Sequence, residues 1–267
     1  MRQISILGCG WLGLPLAQAL IENGFSLKGS TTSESKIQLL EKSGAKPYII
    51  SLKAENIQGN ISAFLMDSEI LIIDIPPKLR GAEKENFVAK IERLMPYIEQ
   101  SSVKKVLFVS STSVYADDNS TITEATLPKP ETESGKQLLA SEVLLQKNSH
   151  FNTSILRFGG LIGDDRHPVK FLAGRNNIEN PEAPINLIHQ EDCIGIIISL
   201  ITHDVWSQTF NAVAPFHPSR KTYYTSKAVT LGLDPPTFKD ELSTGKIIDS
   251  SKLMSTLNYS FTHRETL

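Results

Sequence analysis

Cysteine is nearly absent: the 267 residues hold two, Cys9 and Cys193, with no CxxC pair and no Cys/His cluster. That excludes a tetrahedral thiolate zinc site and a disulfide scaffold, and it fits a reducing compartment. Excess charge is also missing. Lys plus Arg number 27 against 29 Asp plus Glu, for a net charge of −2. A dedicated nucleic-acid binder needs a positive field that this balance does not supply. Long hydrophobic runs are lacking too. The stretch IGIIISLI at 194–201 falls far short of the roughly 20 residues a membrane span requires. No repeat and no low-complexity tract interrupts the chain. With 40% apolar residues, it is long enough to bury a core without disulfides or a structural metal.

The N-terminus admits two readings. Arg2 followed by the apolar ISILGCGWLGLPLAQALI, with Ala17-Gln18-Ala19 inside it, resembles a secretory signal with a small-x-small cleavage site. A buried strand, a glycine turn and a helix explain the same residues better. That reading accounts for glycines at 8, 10 and 13 and for the pattern that continues downstream. The expectation is a soluble cytoplasmic protein with no membrane or nucleic-acid partner.

Short apolar runs at 3–7, 25–30, 47–52, 69–75, 103–110 and 153–158 alternate with helical segments at 12–23, 34–42, 83–100 and 133–148. Such alternation predicts an α/β fold, a doubly wound parallel sheet with helices on both faces. Within it, EILIIDI at 69–75 is the clearest buried strand, closed by Pro76-Pro77. Beyond about residue 160 the rhythm loosens, with helices expected at 190–202 and 221–232. The predicted organisation is a dinucleotide-binding domain over 1–160. A smaller lobe over 161–267 would complete a substrate cleft, with part of it free to extend the sheet.

Gly8-Cys9-Gly10-Trp11-Leu12-Gly13 matches GxGxxG directly after a strand and before a helix. In that context the first glycine permits a tight turn, the second lets backbone approach a pyrophosphate, and the third lets helix pack on strand. The phosphates would rest on the helix N-terminus. A turn kept only for packing would not require Gly10. An NAD site usually ends its second strand on an acid that bonds the ribose hydroxyls. Here the strand ends Lys28-Gly29-Ser30-Thr31-Thr32-Ser33, with Lys36 a turn later and Glu34 the first acid. Hydroxyls at Thr31, Thr32 and Ser33 beside Lys36 suit a 2′-phosphate, so NADP is expected ahead of NAD. Ser33 is also placed to cap the next helix. Trp11 either covers the cofactor or packs under the first helix, and Cys9 is expected to pack rather than react.

The chain resembles an atypical extended short-chain dehydrogenase/reductase of the NAD-dependent epimerase/dehydratase type. The marks are GCGWLG, then SSTSVY at 110–115, LRFGGLIG at 156–163, LIHQEDCIGII at 187–197 and GKIIDSSKLMSTLNY at 245–259. The glycine pattern departs from the family's TGxxGxxG. That departure, with RHPVKFLAG at 166–174, resembles a subgroup of bacterial members. The resemblance implies cofactor contacts from Pro76-Pro77, Ser110, Lys136 and Phe158 as well as the glycine loop. It also implies a catalytic Ser111 that polarises a substrate oxygen and a Lys136 that holds the nicotinamide ribose. The helices at 83–100 and 133–148 correspond to those that pair in family dimers, which makes a homodimer an expectation.

One family residue is missing. Four places before Lys136, where YxxxK puts tyrosine, stands Thr132. A threonine hydroxyl does not ionise near neutral pH and is shorter than a phenol by a ring. The candidate replacement acids are Tyr115, His167 and His189, with Tyr223 and Tyr224 more remote. Tyr115 reads more simply as packing with a solvated hydroxyl, and His189 as bonding a helix start. Arg166 and His167 together suit an anionic or sugar-like substrate. Asp164, Asp165 and His167 suggest a metal only weakly, so no metal is expected. Two functions follow: an oxidoreductase or epimerase on a polar, sugar-like small molecule, or a non-catalytic NADP(H) sensor or scaffold.

Overall fold

The computed structural model describes residues 2–77 and 85–264. Seven strands form one sheet: β1 (Gln3–Leu7), β2 (Ser26–Thr31), β3 (Lys46–Ile49), β4 (Ile70–Ile73), β5 (Lys105–Ser111), β6 (Asn152–Phe158) and β7 (Thr209–Ala212). Every pairing is parallel, in the order β7-β6-β5-β4-β1-β2-β3. The helices of six residues or more among those described are α1 (Gly13–Glu22), α2 (Ile37–Lys42), α3 (Phe87–Glu99), α4 (Glu133–Lys147), α5 (Gln190–Thr202), α6 (Arg220–Thr230) and α7 (Ser251–Leu257). This is the expected α/β architecture.

Strand β4 shows why the layers form. A parallel strand inside such a sheet is covered on both faces and so reads as continuous apolar sequence. Ile70 and Ile72 pack into one core with Leu16 and Leu20 of α1 and Ile196 and Leu200 of α5. Leu71 and Ile73 face the other core, with Phe64, Phe87, Ile91 and Phe108. Each such side chain contributes roughly 1.5–3 kcal/mol of burial, set against the ordering entropy of the chain.

Three details differ from the sequence reading. The stretch 47–52 is split. Its first part is edge strand β3, while Ser51–Leu52 turns away to pair antiparallel with Ile57–Gln58. Helix α3, expected from 83, begins at Phe87 behind an Asn86 cap, and residues 83 and 84 lie outside the described residues. The seventh strand comes from beyond residue 160: Thr209 pairs with Ile155 and Ala212 with Phe158. Its four residues, TFNA, carry too little periodicity to stand out. Residues 161–267 also build a smaller core of Ile162, Val169, Ile185, Leu187, Tyr223 and Tyr224. Among the described residues no helix is long and apolar enough to cross a membrane.

Strand order reverses between β1 and β4, and a crevice opens outside their carboxyl ends at such a switch point. The glycine loop, the end of β2 and the end of β4 meet there.

Candidate functional site

The loop after β1 gives that crevice its floor. Gly8 lies at φ 109°, and a Cβ on it would collide with the Asp74 carbonyl. A Cβ on Gly13 would strike the Gly8 carbonyl. Packing alone therefore demands glycine at both positions. Gly10 differs, because nothing lies within 4 Å of where its Cβ would stand. Leu12 at the head of α1 has no side chain able to cap the first-turn N–H groups. The Leu14 N–H is bonded to the Gly10 carbonyl at 3.2 Å, and the helix dipole at that point favours an anion.

A cavity of about 190 Å³ opens beside the loop, lined by Gly8 to Gly10, Ser30 to Thr32, Lys36, Asp74, Pro76 and Lys90, among others. Ser30 braces the turn, its hydroxyl accepting the Gly8 N–H at 3.0 Å and its carbonyl the Cys9 N–H at 2.7 Å. Thr31 Oγ1 accepts the Ser33 N–H at 3.1 Å. Ser33 does not cap the following turn; its hydroxyl pairs with that of Ser35 at 2.8 Å. Cys9 is buried and burial pushes its thiol up to about 12, so it packs as expected.

Asp74 follows β4 and was not singled out from the sequence. Its carboxylate lies against Gly13, accepts the Gly13 N–H and borders the cavity. Burial pushes its carboxyl up to about 8, opposed only in part by that hydrogen bond. The available signal was a charged residue directly after the most apolar strand of the chain.

The catalytic candidates lie at the ends of β5 and β6. Ser111 Oγ accepts the Ser113 N–H at 3.1 Å and caps a short 3₁₀ turn, Thr112–Val114. Thr132, in the place of the family tyrosine, caps α4 by accepting the Gly135 N–H at 3.1 Å. Gly135 packs directly on the Ser113 carbonyl, which brings the Ser111 turn against the head of α4. Lys136 is exposed one turn into that helix.

Ser110 and Tyr115 belong to a closed buried network instead. Ser110 donates to Glu142 Oε1 at 2.5 Å, and Arg157 holds both Glu142 oxygens, at 3.1 Å from Nε and 2.5 Å from Nη2. Arg157 Nη1 donates to the Tyr115 hydroxyl at 2.5 Å, which in turn donates to Asn211 Oδ1 at 3.0 Å. The Tyr115 hydroxyl is thus buried rather than solvated, and burial raises its pKa. Phe158 is 2% exposed and packs in the core. Neither Phe158 nor Ser110 reaches the cavity lining.

His167 turns inward. Its Nδ1 accepts the Val169 N–H at 3.2 Å, and its Nε2 meets the Tyr223 hydroxyl at 2.9 Å. Burial, with Lys227 and Lys170 nearby, pulls its pKa to about 4, so it stays neutral at physiological pH. Tyr223 and Tyr224 are buried beside it. Arg166 stays outside and stacks 4.9 Å from the Trp11 ring. Trp11 is half-buried and packs against the core that includes Leu16 and Leu20 of α1. Its Nε1 donates to Asp165 at 2.8 Å, its carbonyl accepts from Gln190 at 2.6 Å, and Gly163 leaves room for its ring.

The Asp164, Asp165 and His167 grouping therefore does not assemble. A different trio does: His189, Glu191 and His263 bring donor atoms within 4.8 Å of one another. Each already has a protein partner. His189 Nδ1 accepts the Glu191 N–H at 3.3 Å at the head of α5, as expected, and His263 Nε2 bonds Glu191 Oε2 at 2.8 Å. His263 lies too far along the chain for local reading to link it to this helix.

No protein-family profile matches the chain. It is 34% identical over 271 residues to protein YeeZ of Escherichia coli K12, spanning all of this chain and 98% of that protein. Among solved structures, a functionally unknown conserved protein from Silicibacter pomeroyi superposes with TM-score 0.80 at 19% identity, over 99% of this chain and 95% of that one. UDP-glucuronic acid 4-epimerase from Bacillus cereus, in complex with NAD, gives TM-score 0.80 at 19% identity, over 98% and 92%. A short-chain dehydrogenase/reductase superfamily protein from Agrobacterium tumefaciens with bound NAD gives 0.78 at 17% identity, over 97% and 92%. At such identities the structures establish a shared fold. The end-to-end sequence match goes further: this chain belongs to the family of E. coli YeeZ, built on the Rossmann-type fold of the short-chain dehydrogenase/reductases.

Proposed function

We propose that this protein binds a nicotinamide dinucleotide in the crevice at the carboxyl ends of β1, β2 and β4. The observation that carries the reading is Gly10, which packing does not require, facing open space beside the head of α1. A pyrophosphate would lie against that loop, with the adenosine end among Ser30, Thr31, Thr32 and Lys36. The end of β2 presents hydroxyls and a lysine rather than a carboxylate. That favours NADP(H), with NAD(H), the nucleotide bound to the epimerase neighbours, as the alternative.

As an enzyme, the protein would be an oxidoreductase or epimerase acting on a polar, sugar-like small molecule. The nicotinamide, when bound, would supply hydride exchange. Ser111 would bond a substrate oxygen and Lys136 the nicotinamide ribose, and a homodimer would form through α3 and α4, which expose Tyr97 and Val143. A second reading, a non-catalytic sensor or scaffold that binds the same nucleotide, has its own support. Thr132 is a helix cap, and Tyr115 and His167 are each held by buried partners. General acid catalysis needs a group within hydrogen-bond reach of substrate, and these two are committed elsewhere.

Calorimetry with NADPH and NADH, on the wild type and on Gly10→Glu, tests the binding. Tight NADPH binding that the variant loses supports the reading, and no binding of either nucleotide by the wild type defeats it. Turnover of sugar nucleotides by nucleotide-loaded protein, lost in Ser111→Ala, would select the enzyme over the sensor.

A further inference from the structure

An acid sits where the dinucleotide reading places an anion. Asp74 follows β4, and its carboxylate lies against the head of α1, with Oδ2 3.1 Å from where a Gly13 Cβ would be. It accepts the Gly13 N–H, one of the first-turn donors that make a helix N-terminus an anion site, and it borders the cavity. No cation pairs with it among the described residues. The titratable and charged groups around it are Cys9 in the glycine loop, Cys193 on α5, Lys36 beyond β2, and Lys90 with Glu85 across the cavity. Both thiols are pushed up by burial and stay protonated, so neither adds charge. Lys90 is already in an ion pair with Glu85.

We propose that Asp74 is the affinity-determining residue of this groove. Charged, it holds the Gly13 N–H and repels the ligand pyrophosphate; neutral, it donates a hydrogen bond to a phosphate or hydroxyl oxygen of the ligand. This rests on the dinucleotide reading and adds a charge rule to it. Burial of the carboxyl, which pushes it up to about 8, puts the change within reach of ordinary buffers. One proton is then taken up or kept for each nucleotide bound. Above the midpoint, affinity falls by about tenfold for each pH unit. Adenosine, which has no phosphate, escapes the repulsion.

The test is calorimetric titration of wild type and Asp74→Asn with NADH, NADPH and adenosine from pH 6.5 to 9.5. NADH is the cleaner probe, because the 2′-phosphate of NADPH titrates near the lower end of that range. Lysine ordinarily titrates above it. In the wild type, NADH affinity should drop by at least tenfold between pH 7 and 9.5. Asp74→Asn should show a flat profile and, at pH 9.5, bind NADH at least tenfold tighter than wild type. Parallel profiles in the two proteins, or a flat wild-type profile, would overturn the inference while leaving nucleotide binding intact. Absence of NADH and NADPH binding by both proteins at every pH would overturn the dinucleotide reading and this inference with it. Should Asp74→Asn fail to fold by circular dichroism, the wild-type comparison decides. A slope for NADH with none for adenosine supports the role of Asp74, and equal slopes refute it.

Discussion

The crevice at the ends of β1, β2 and β4 and the cluster at the ends of β5 and β6 are built on opposite plans. In the crevice, Gly10 faces open space beside the head of α1, and an acid with no cation partner among the described residues borders a cavity. In the cluster, Ser110, Glu142, Arg157, Tyr115 and Asn211 satisfy one another in a buried chain, and Thr132 and Ser111 spend their hydroxyls on local caps. Buried polar groups are costly unless paired. A region that pairs them all is organised for stability, and one that leaves an acid without a cation beside a cavity is organised for a ligand. The contrast separates binding from catalysis in this fold, because the open half is the one proposed to hold the dinucleotide.

The largest effect should come from breaking the closed half. Removing one member of a buried ion pair strands the other charge, at a cost of about 3–5 kcal/mol. Glu142→Leu should therefore lower the melting temperature by roughly 10 °C, read by calorimetry. A change under about 2 °C would mean the network is not a structural anchor. The open half should respond in affinity instead. Gly10→Glu places a carboxylate against the proposed phosphate position and should weaken NADPH binding by about a hundredfold or more, with melting temperature little changed. Equal losses of stability and binding would erase the distinction between the two halves.

Asp74 sharpens the contrast further, through the pH dependence of stability. Burial pushes its carboxyl up to about 8, above the ordinary aspartate value, so the folded chain holds more protons than the unfolded one between those values. Stability from this group therefore falls as pH rises from about 4 to 8, and the full cost is present above 8. Asp74→Asn should be more stable than wild type at pH 9, by on the order of 1–3 kcal/mol after discounting for solvent that reaches the cavity. The two should converge near pH 4. Chemical denaturation across that range checks it, and a wild type that gains on the variant as pH rises would reverse the sign. The smallest effect belongs to Thr132. Thr132→Ala removes one helix cap and should cost about 1 kcal/mol without changing nucleotide affinity. A large loss of affinity would place this position in the ligand site after all.

Much of the fold was legible in the residue order. Strand β4 announced itself as an unbroken apolar run, and α1 as a helix entered through spaced glycines, because both signals are local and periodic. The helix-start role of His189 was readable for the same reason. The state of Tyr115 was not. Its hydroxyl bonds Asn211, 96 residues away, and Arg157, 42 away, and no spacing rule links such positions. His167 suited a substrate-holding loop with Arg166, but its ring bonds Tyr223, 56 residues on, and turns inward. An extension of the sheet from beyond residue 160 was allowed for, but the place of β7 was not readable, because its four residues gain their identity from pairing with β6.

Residue order alone thus settled the alternation of strands and helices, the parallel sheet and the place of the glycine loop. Each follows from steric and apolar patterns within a few residues. Tertiary contact decided which polar side chains stayed available. It consumed Ser110, Tyr115 and His167 in buried hydrogen bonds, and it moved an unremarked aspartate against the head of α1. The reason is that a side chain's charge state and freedom to react depend on its neighbours and on exclusion of water, and in a sheet of this order those neighbours come from distant parts of the chain.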